Sequence, residues 1–181
     1  MEIDIRIDND IYLTRTSRQD KDALIAYMND EELYTQTLRV PKPYTDLDAE
    51  NWFNYILTFE TENNIRKNWV IRNSSNELIG HVGFHFPHGL DSKTAEIYYW
   101  LGKPFRNKGI ITNVVRQFTN HCLTSLNYNR IEAPIFDFNI ASENVLKKCG
   151  YTFENNLHNH YTKGDKIISA KMYAKTSGQV D

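Results

Sequence analysis

The segment Trp100-Leu-Gly-Lys-Pro-Phe-Arg-Asn-Lys-Gly-Ile-Ile-Thr112 joins the end of a predicted strand to the start of a predicted helix. Its loop carries the cations Arg106 and Lys108, followed by Gly109, which can adopt backbone angles that a Cβ disfavours. The unpaired N–H groups and the dipole at a helix start favour a bound phosphate. The segment therefore predicts a site that a pyrophosphate fits, although a structural basic turn shows the same pattern.

The residues on either side of this loop are strongly patterned. Residues 94–101 read as a strand, in which alternation places Glu96, Tyr98 and Trp100 on one face. Apolar residues then recur every three or four positions through residues 109–126, which predicts an amphipathic helix. The loop is thus held between two regular elements.

The rest of the chain alternates helices and strands in a mixed order. A capping box formed by Thr45 and Asp48 predicts the start of a long apolar helix, and a proline-stiffened loop at 39–44 precedes it. Further helices are predicted over residues 17–27 and 142–149. Strands are predicted over residues 11–16, 69–72, 78–86, 131–136, 151–154 and 167–175. This order favours an α+β protein with a mostly antiparallel sheet.

Three blocks within residues 95–150 resemble the GNAT superfamily of N-acetyltransferases. The loop Arg106-Asn-Lys-Gly-Ile-Ile111 resembles its Arg/Gln-x-x-Gly-x-Gly/Ala signature. The strand Ala95-Glu-Ile-Tyr-Tyr-Trp-Leu101 and the block Asn139-Ile-Ala-Ser-Glu-Asn-Val-Leu-Lys-Lys-Cys-Gly150 resemble its ribosomal-protein alanine N-acetyltransferase (RimJ/RimL-like) branch. Two positions depart from the pattern, since Ile111 replaces the usual Gly or Ala and Asn107 an often-found Gly.

The resemblance implies the GNAT fold, with about seven strands in a mixed, mostly antiparallel sheet and helices on both faces. It also implies a splay between the two central strands, where the pantetheine arm of acetyl-CoA inserts. Pro134 lies in the second of these strands and cannot donate to a ladder. It marks either an edge strand or a strand kept unpaired beside the cleft.

The resemblance implies acetyl-CoA as co-substrate and no metal. It assigns cofactor contacts to the strand end, the anion loop, the following helix and the 139–150 block, namely Trp100, Leu101, Arg106, Asn107, Lys108, Gly109, Ile110, Ile111, Thr112, Asn139, Asn144 and Lys147. The histidine pair His158 and His160 has the spacing of two metal ligands, but no third ligand is indicated, so a surface loop is the preferred interpretation.

The same resemblance suggests the residues of the reaction. Glu96 is the candidate base that deprotonates an amine, with a structural glutamate as the alternative. Leu146 stands where many relatives have a tyrosine acid, so Ser142 is the candidate that protonates the leaving thiolate; alternatively, it only caps a helix. Tyr161 is a further catalytic candidate. A non-catalytic acyl-CoA-binding or protein-interaction module on the same fold is the alternative function.

The composition excludes several classes of protein. The 181 residues are predicted to form a single acetyltransferase domain over 1–181, and a net charge of -2 argues against binding nucleic acid by bulk charge. No Gly-x-x-x-x-Gly-Lys-Ser/Thr or Gly-x-Gly-x-x-Gly motif occurs, so neither nucleoside triphosphates nor NAD are favoured. No signal or membrane-spanning segment is visible. We expect a cytoplasmic monomer or homodimer with reduced cysteines, whose partners are acetyl-CoA and an amine.

Overall fold

The computed structural model describes residues 4–179. The chain divides into two compact units, of which the first contains residues 4–83 and 99–108 and the second residues 84–98 and 109–179. No helix in the described range is both long enough and apolar enough to cross a membrane.

The regular elements define an α+β fold, as predicted. The described strands are β1 (Ile5–Arg6), β2 (Ile11–Thr14), β3 (Asn68–Asn73), β4 (Leu78–His85), β5 (Thr94–Leu101), β6 (Arg130–Phe136), β7 (Thr152–Lys163) and β8 (Lys166–Thr176). The α-helices are α1 (Lys21–Met28), α2 (Glu31–Gln36), α3 (Asp46–Asn63), α4 (Ile110–Thr124) and α5 (Ile140–Lys148). Neighbouring strands are antiparallel in every paired register described except that of β5 with β6.

The first unit is built on β1 to β4, which pair antiparallel in chain order. The register of β3 with β4 shifts between Ile71 and Arg72. Arg72 is buried there, and its guanidinium forms a two-pronged ion pair with buried Asp20 at 2.8 and 2.7 Å. Two parallel N–H···O bonds orient both partners, so this pair fixes the turn before α1 on the sheet.

Helix α3 begins where the capping pattern predicts. The hydroxyl of Thr45 accepts from the Asp48 N–H, and the Asp48 carboxylate accepts from the Thr45 N–H at 2.8 Å. The helix buries Ala49 and Phe53 in a core cluster that also contains residues of α1 and α2. Each fully buried side chain of the size of phenylalanine stabilises the fold by roughly 1.5–3 kcal/mol.

The second unit shows the predicted splay. Strand β5 runs parallel to β6 at three positions, and their register ends with Glu96 opposite Glu132. Strand β6 nevertheless continues to Phe136 and keeps an unshifted antiparallel register with β8 over all seven residues. Pro134 lies within that register, opposite Met172, and has no N–H to donate. An unbroken register requires its nitrogen to face away from β8, towards the edge where the β5 ladder has ended.

Helix α4 packs in the second unit through the predicted apolar face. Val114, Val115 and Phe118 are fully buried, and the Phe118 ring stacks on Phe84 with centroids 5.0 Å apart. Cys149, at the end of α5, is buried with its thiol 3.3 Å from the Thr112 carbonyl oxygen. Burial raises the pKa of this thiol, which marks a packed rather than a reactive cysteine.

Four elements differ clearly from the sequence expectation, and the first is β1, a two-residue strand that was not predicted and that gives eight described strands instead of about seven. Helix α2 was not predicted, and Asp30 caps it by accepting from the Leu33 N–H at 2.9 Å. Strand β7 extends to Lys163 instead of ending at residue 154. Helix α5 begins at Ile140, two residues before its predicted start, because Asn139 provides the cap.

Candidate active site

The anion loop leads directly into α4 through two residues with left-handed backbone angles. Asn107 has φ 63° and Gly109, the N-cap of α4, has φ 77°. A Cβ built on Gly109 meets no atom within 4 Å, so glycine is required here by the backbone angle and not by crowding. The first intrahelical bond runs from the Asn113 N–H to the Gly109 carbonyl. Helix geometry therefore leaves the N–H groups of residues 110–112 without partners within α4.

The guanidinium of Arg106 is engaged within the first unit. Its Nε donates to the Leu101 carbonyl at 2.9 Å, and its Nη1 donates to Glu32 at 2.9 Å and Asp30 at 3.3 Å. Burial alone would raise the pKa of Asp30, but the Leu33 amide and Arg106 outweigh it and lower that pKa. Arg106 therefore fastens the loop to the strand end and to the start of α2.

Lys108 presents its charge differently. The residue is exposed, and its Nζ lies 5.9 Å from the centroid of the Phe105 ring. An exposed ammonium on a short loop can meet a phosphate with little reorganisation. Of the two predicted loop cations, Lys108 is the one that faces solvent.

In the first unit, Trp100 lies over a buried histidine. The Trp100 ring stacks on His81 with centroids 5.3 Å apart and 18° between the planes. Burial, followed by the charge of Arg72, lowers the pKa of His81 to about 3. His81 is therefore neutral at physiological pH and contacts the amide of Asn68 at 3.0 Å. It is part of the support beneath Trp100.

In the second unit, Glu96 and Tyr98 occupy alternate positions of β5 and are half-buried. The ring of His85, at the end of β4, stacks on Tyr98 with centroids 4.6 Å apart. His85 was not among the predicted site residues. Alternation along residues 81–85 of β4 was the available signal, because it places both histidines of that strand on one face.

The start of α5 is organised by Asn139. Its side-chain oxygen accepts from the Ser142 N–H at 3.0 Å, and the residue is buried. Asn139 is thus the N-cap, so the alternative in which Ser142 caps the helix is wrong. The Ser142 side chain is half-buried in the first turn of α5, whereas Asn144 is exposed.

A cluster of opposite charges holds α5 against β8. Glu143 accepts from Lys147 at 2.5 Å, Lys171 at 2.6 Å and the hydroxyl of Tyr173 at 3.0 Å. The hydrogen bonds from Lys147, then Lys171, lower the pKa of Glu143 to about 2. Lys147, a predicted cofactor contact, therefore has a carboxylate partner on its own helix.

Tyr161 and the start of α5 meet around the end of β6. The Tyr161 ring lies 5.7 Å from that of Phe136, and the Phe136 carbonyl accepts from the Asn139 N–H at 2.9 Å. Glu96 lies opposite Glu132, four residues earlier on β6. At ~3.3 Å per residue this is about 13 Å along the strand. In the second unit, Tyr161 and the start of α5 thus both lie beside the end of β6, whereas Glu96 lies opposite an earlier part of that strand.

The left-handed glycine cap before α4 and the short parallel ladder of β5 with β6 agree with the GNAT fold that the sequence predicts. The sequence profile of the acetyltransferase (GNAT) domain matches residues 10–152. The chain therefore belongs to the GNAT acetyltransferase family. It is 28% identical over 163 residues to the uncharacterized N-acetyltransferase p20 of Bacillus licheniformis, covering 90% of both chains.

Solved structures share the fold. The ribosomal L7/L12 α-N-protein acetyltransferase RimL, in complex with coenzyme A, superimposes with a TM-score of 0.84 at 20% identity, covering 97% of this chain and 98% of that one. The microcin C7 self-immunity acetyltransferase MccE, in complex with acetyl-CoA and AMP, gives a TM-score of 0.83 at 20% identity and covers 94% of both chains. Across residues 4–179 no group of three His, Cys, Asp or Glu residues is arranged to hold a metal ion.

Proposed function

We propose that this protein is an acetyl-CoA-dependent N-acetyltransferase, which transfers the acetyl group to a primary amine by direct attack in a ternary complex. The early end of the parallel ladder between β5 and β6, at Glu96 and Glu132, is the observation that carries the proposal. A strand whose neighbour has diverged offers backbone groups to an extended amide-bearing ligand, and the pantetheine arm is such a ligand. Family membership supports the same activity.

The residues present fit the phosphates of acetyl-CoA. The N–H groups of Ile110, Ile111 and Thr112 would donate hydrogen bonds to the pyrophosphate, with Lys108 adding charge. The open space beside Gly109 supports close approach of the phosphates, and Arg106 holds the loop in shape. We assign the other predicted contacts to the same ligand, namely Trp100, Leu101, Asn107, Asn139, Asn144 and Lys147.

The proposed reaction has three proton and bond changes. Glu96 removes a proton from the ammonium form of the acceptor, and the resulting amine attacks the thioester carbonyl. The carbonyl carbon forms a C–N bond and loses its C–S bond. The leaving thiolate takes a proton from Ser142, with Tyr161 as the second candidate donor, and the second proton lost by the attacking nitrogen restores that hydroxyl. Holding both substrates in one site accounts for much of the rate.

The acceptor is proposed as a primary amine, either a protein N-terminus or a small molecule. The name of RimL, an α-N-protein acetyltransferase, supports a protein N-terminus as acceptor. The name of MccE does not give an acceptor, so a small-molecule amine also stays open. We further propose that the whole chain is one catalytic domain, a monomer or homodimer in the cytoplasm, which needs neither nucleic acid nor membrane. The family match, which includes residues of both units, supports the single domain.

Two measurements on the purified protein test this proposal. Calorimetry with acetyl-CoA should give a dissociation constant in the micromolar range, which corresponds to a binding free energy of about -8 kcal/mol. Thiol release should then be followed with four acceptors: an alanine-terminated peptide, spermidine, glycine and kanamycin. Binding together with release of coenzyme A supports the transferase. Binding without release from any acceptor would support the non-catalytic module instead, and absence of binding at millimolar acetyl-CoA would contradict both.

A further inference from the structure

His85 lies at the end of β4, directly beside the strand that carries the proposed base. Its ring stacks on Tyr98 of β5 with centroids 4.6 Å apart and planes at 29°. Both residues belong to the second unit, and β4 and β5 are neighbouring strands. The stacking fixes the imidazole on the face of β5 to which Tyr98 points.

Glu96 points to that same face. Residues two apart on a strand share a face and are about 7 Å apart, so the imidazole stacked on Tyr98 lies on the same face of β5 as the Glu96 side chain, at a spacing that one bridging water can span. Exposure differs between the two groups, because Glu96 is half-buried whereas His85 is exposed. The imidazole of His85 is therefore nearer to solvent than the carboxylate of Glu96.

A base that accepts a proton in each catalytic cycle must release it before the next cycle. A half-buried carboxylate exchanges protons with bulk water less readily than an exposed group. Imidazole is the side chain whose ordinary pKa suits it to exchange protons near neutrality. An exposed imidazole beside the base thus supplies a route to solvent.

We propose that His85 is a proton-relay residue, which takes from Glu96 the proton removed from the acceptor amine and releases it to water. In the first step the ammonium gives a proton to the Glu96 carboxylate. In the second the neutral carboxyl gives it to His85, and in the third the imidazolium gives it to water, which restores both groups. The inference rests on the proposed function, because it needs Glu96 to act as base.

The neighbouring groups are compatible with this role. On β5 the imidazole stacks on Tyr98 and shares a face of the strand with Glu96. Two residues of β4 before His85 share its face. Gly83 carries no charge, and His81 is neutral at physiological pH. No positive side chain of these two strands therefore opposes protonation of His85 on this face.

Two variants separate a relay from simple packing. His85→Phe keeps a ring to stack on Tyr98 but cannot carry a proton, and His85→Ala leaves room for imidazole from solution. His88→Phe is the matched control, since His88 is also exposed and follows β4 but bonds Glu132 at 3.0 Å. The readouts are kcat and KM from thiol release, with the alanine-terminated peptide, spermidine, glycine and kanamycin as acceptors.

The relay predicts that His85→Phe lowers kcat about tenfold, less than the full contribution of an acid–base group, and leaves KM for acetyl-CoA unchanged. It also predicts that kcat of His85→Ala rises with imidazole concentration at fixed pH and ionic strength, while the wild type and His88→Phe do not respond. An active wild type with an unaffected His85→Phe variant, or a slow His85→Ala variant that imidazole does not rescue, would contradict the relay alone. A wild type that acetylates none of the acceptors contradicts the proposed function, and the relay with it.

Discussion

At the scale of single residues, His81 couples the stability of the first unit to pH. Its pKa falls from 6.5 to about 3 on folding because the ring is buried, with a further effect of Arg72. The unfolded chain therefore binds a proton that the folded chain excludes between these values. The contribution of His81 to stability is fully present above pH 6.5 and is lost as the pH falls towards 3.

This coupling gives the first prediction. Between pH 7 and pH 5, urea unfolding of the wild-type protein should lose about 2 kcal/mol through this one group. His81→Gln, which cannot titrate, should be less stable at pH 7 but should lose much less on acidification. His160→Gln, a change at an exposed histidine, should keep the wild-type pH dependence. Equal pH slopes for His81→Gln and wild type would disprove the coupling.

Glu96 supports the second prediction. Glu96→Gln removes the proposed base while preserving size, so turnover should fall by about 100-fold, the lower range for such catalysis. Affinity for acetyl-CoA should stay within a factor of about two, since the amide adds no charge near the phosphates. Calorimetry and thiol release on the same preparations measure both quantities. An unchanged rate removes Glu96 from the mechanism.

Glu132→Gln is the control for that variant. Glu132 lies opposite Glu96 in the parallel register but pairs with Arg130 at 2.9 Å and has no proposed catalytic role. Arg130 keeps its second partner, Glu154, so the loss of this partly buried pair should cost no more than about 1 kcal/mol and leave kcat near the wild-type value. Equal losses of turnover in the two variants would point to disruption of the strands instead of loss of a base.

Arg106 shows how much of a residue's role could be predicted from the sequence. The motif correctly indicated a basic loop before a helix, but not that Asp30 and Glu32 would take up the arginine charge. These partners are 76 and 74 residues away in the chain, so local spacing contains no signal of the pairing. For Ser142 the local sequence offers two signals instead of none. Asn139, three positions earlier, is an equally good capping residue by local rules, and it is the one that caps α5.

At the scale of elements, the start of α4 depends on Gly109. Its φ of 77° lies in the left-handed region, and a Cβ there meets nothing within 4 Å. Gly109→Ala should therefore cost about 1 kcal/mol of stability through backbone strain alone. It should also weaken acetyl-CoA binding, because a shifted loop no longer aims the first N–H groups of α4 at the phosphates.

Gly164→Ala provides the matched comparison for this third prediction. Gly164 also has a left-handed φ, 57°, and open space around its Cβ position, but it lies in the turn between β7 and β8. Both variants should lose a similar amount in chemical unfolding. In calorimetry only Gly109→Ala should bind acetyl-CoA more weakly, and equal affinities for the two variants would remove the loop from the binding site.

Elements with a strong period or cap were predictable and the others were not. The bounds of β5 and the capping box of α3 follow the sequence pattern, because a buried face and a cap leave local signals. Helix α2 has only six residues and buries only Leu33, which is too little for a period to appear. Most of β7 is exposed and its register shifts twice, so no alternation marks its extension to Lys163.

At the scale of the whole molecule, ligand binding must appear as added stability. A ligand that binds only the folded protein stabilises it by about 2.7 kcal/mol at 100 times its dissociation constant. The fourth prediction is therefore an unfolding midpoint that rises with acetyl-CoA concentration, whereas adenine alone, which lacks the phosphates and pantetheine, should have little effect. A midpoint independent of acetyl-CoA would contradict specific binding.

This chain is proposed to move an acetyl group from acetyl-CoA to an amine. The most direct measurement is coenzyme A release by the wild-type protein with each of the four acceptors, accompanied by mass spectrometry of the acceptor. We predict release that depends on the acceptor and a matching mass increase of one acetyl group in at least one of them. Bound acetyl-CoA that is never consumed, with every acceptor mass unchanged, would contradict acetyl transfer by this protein.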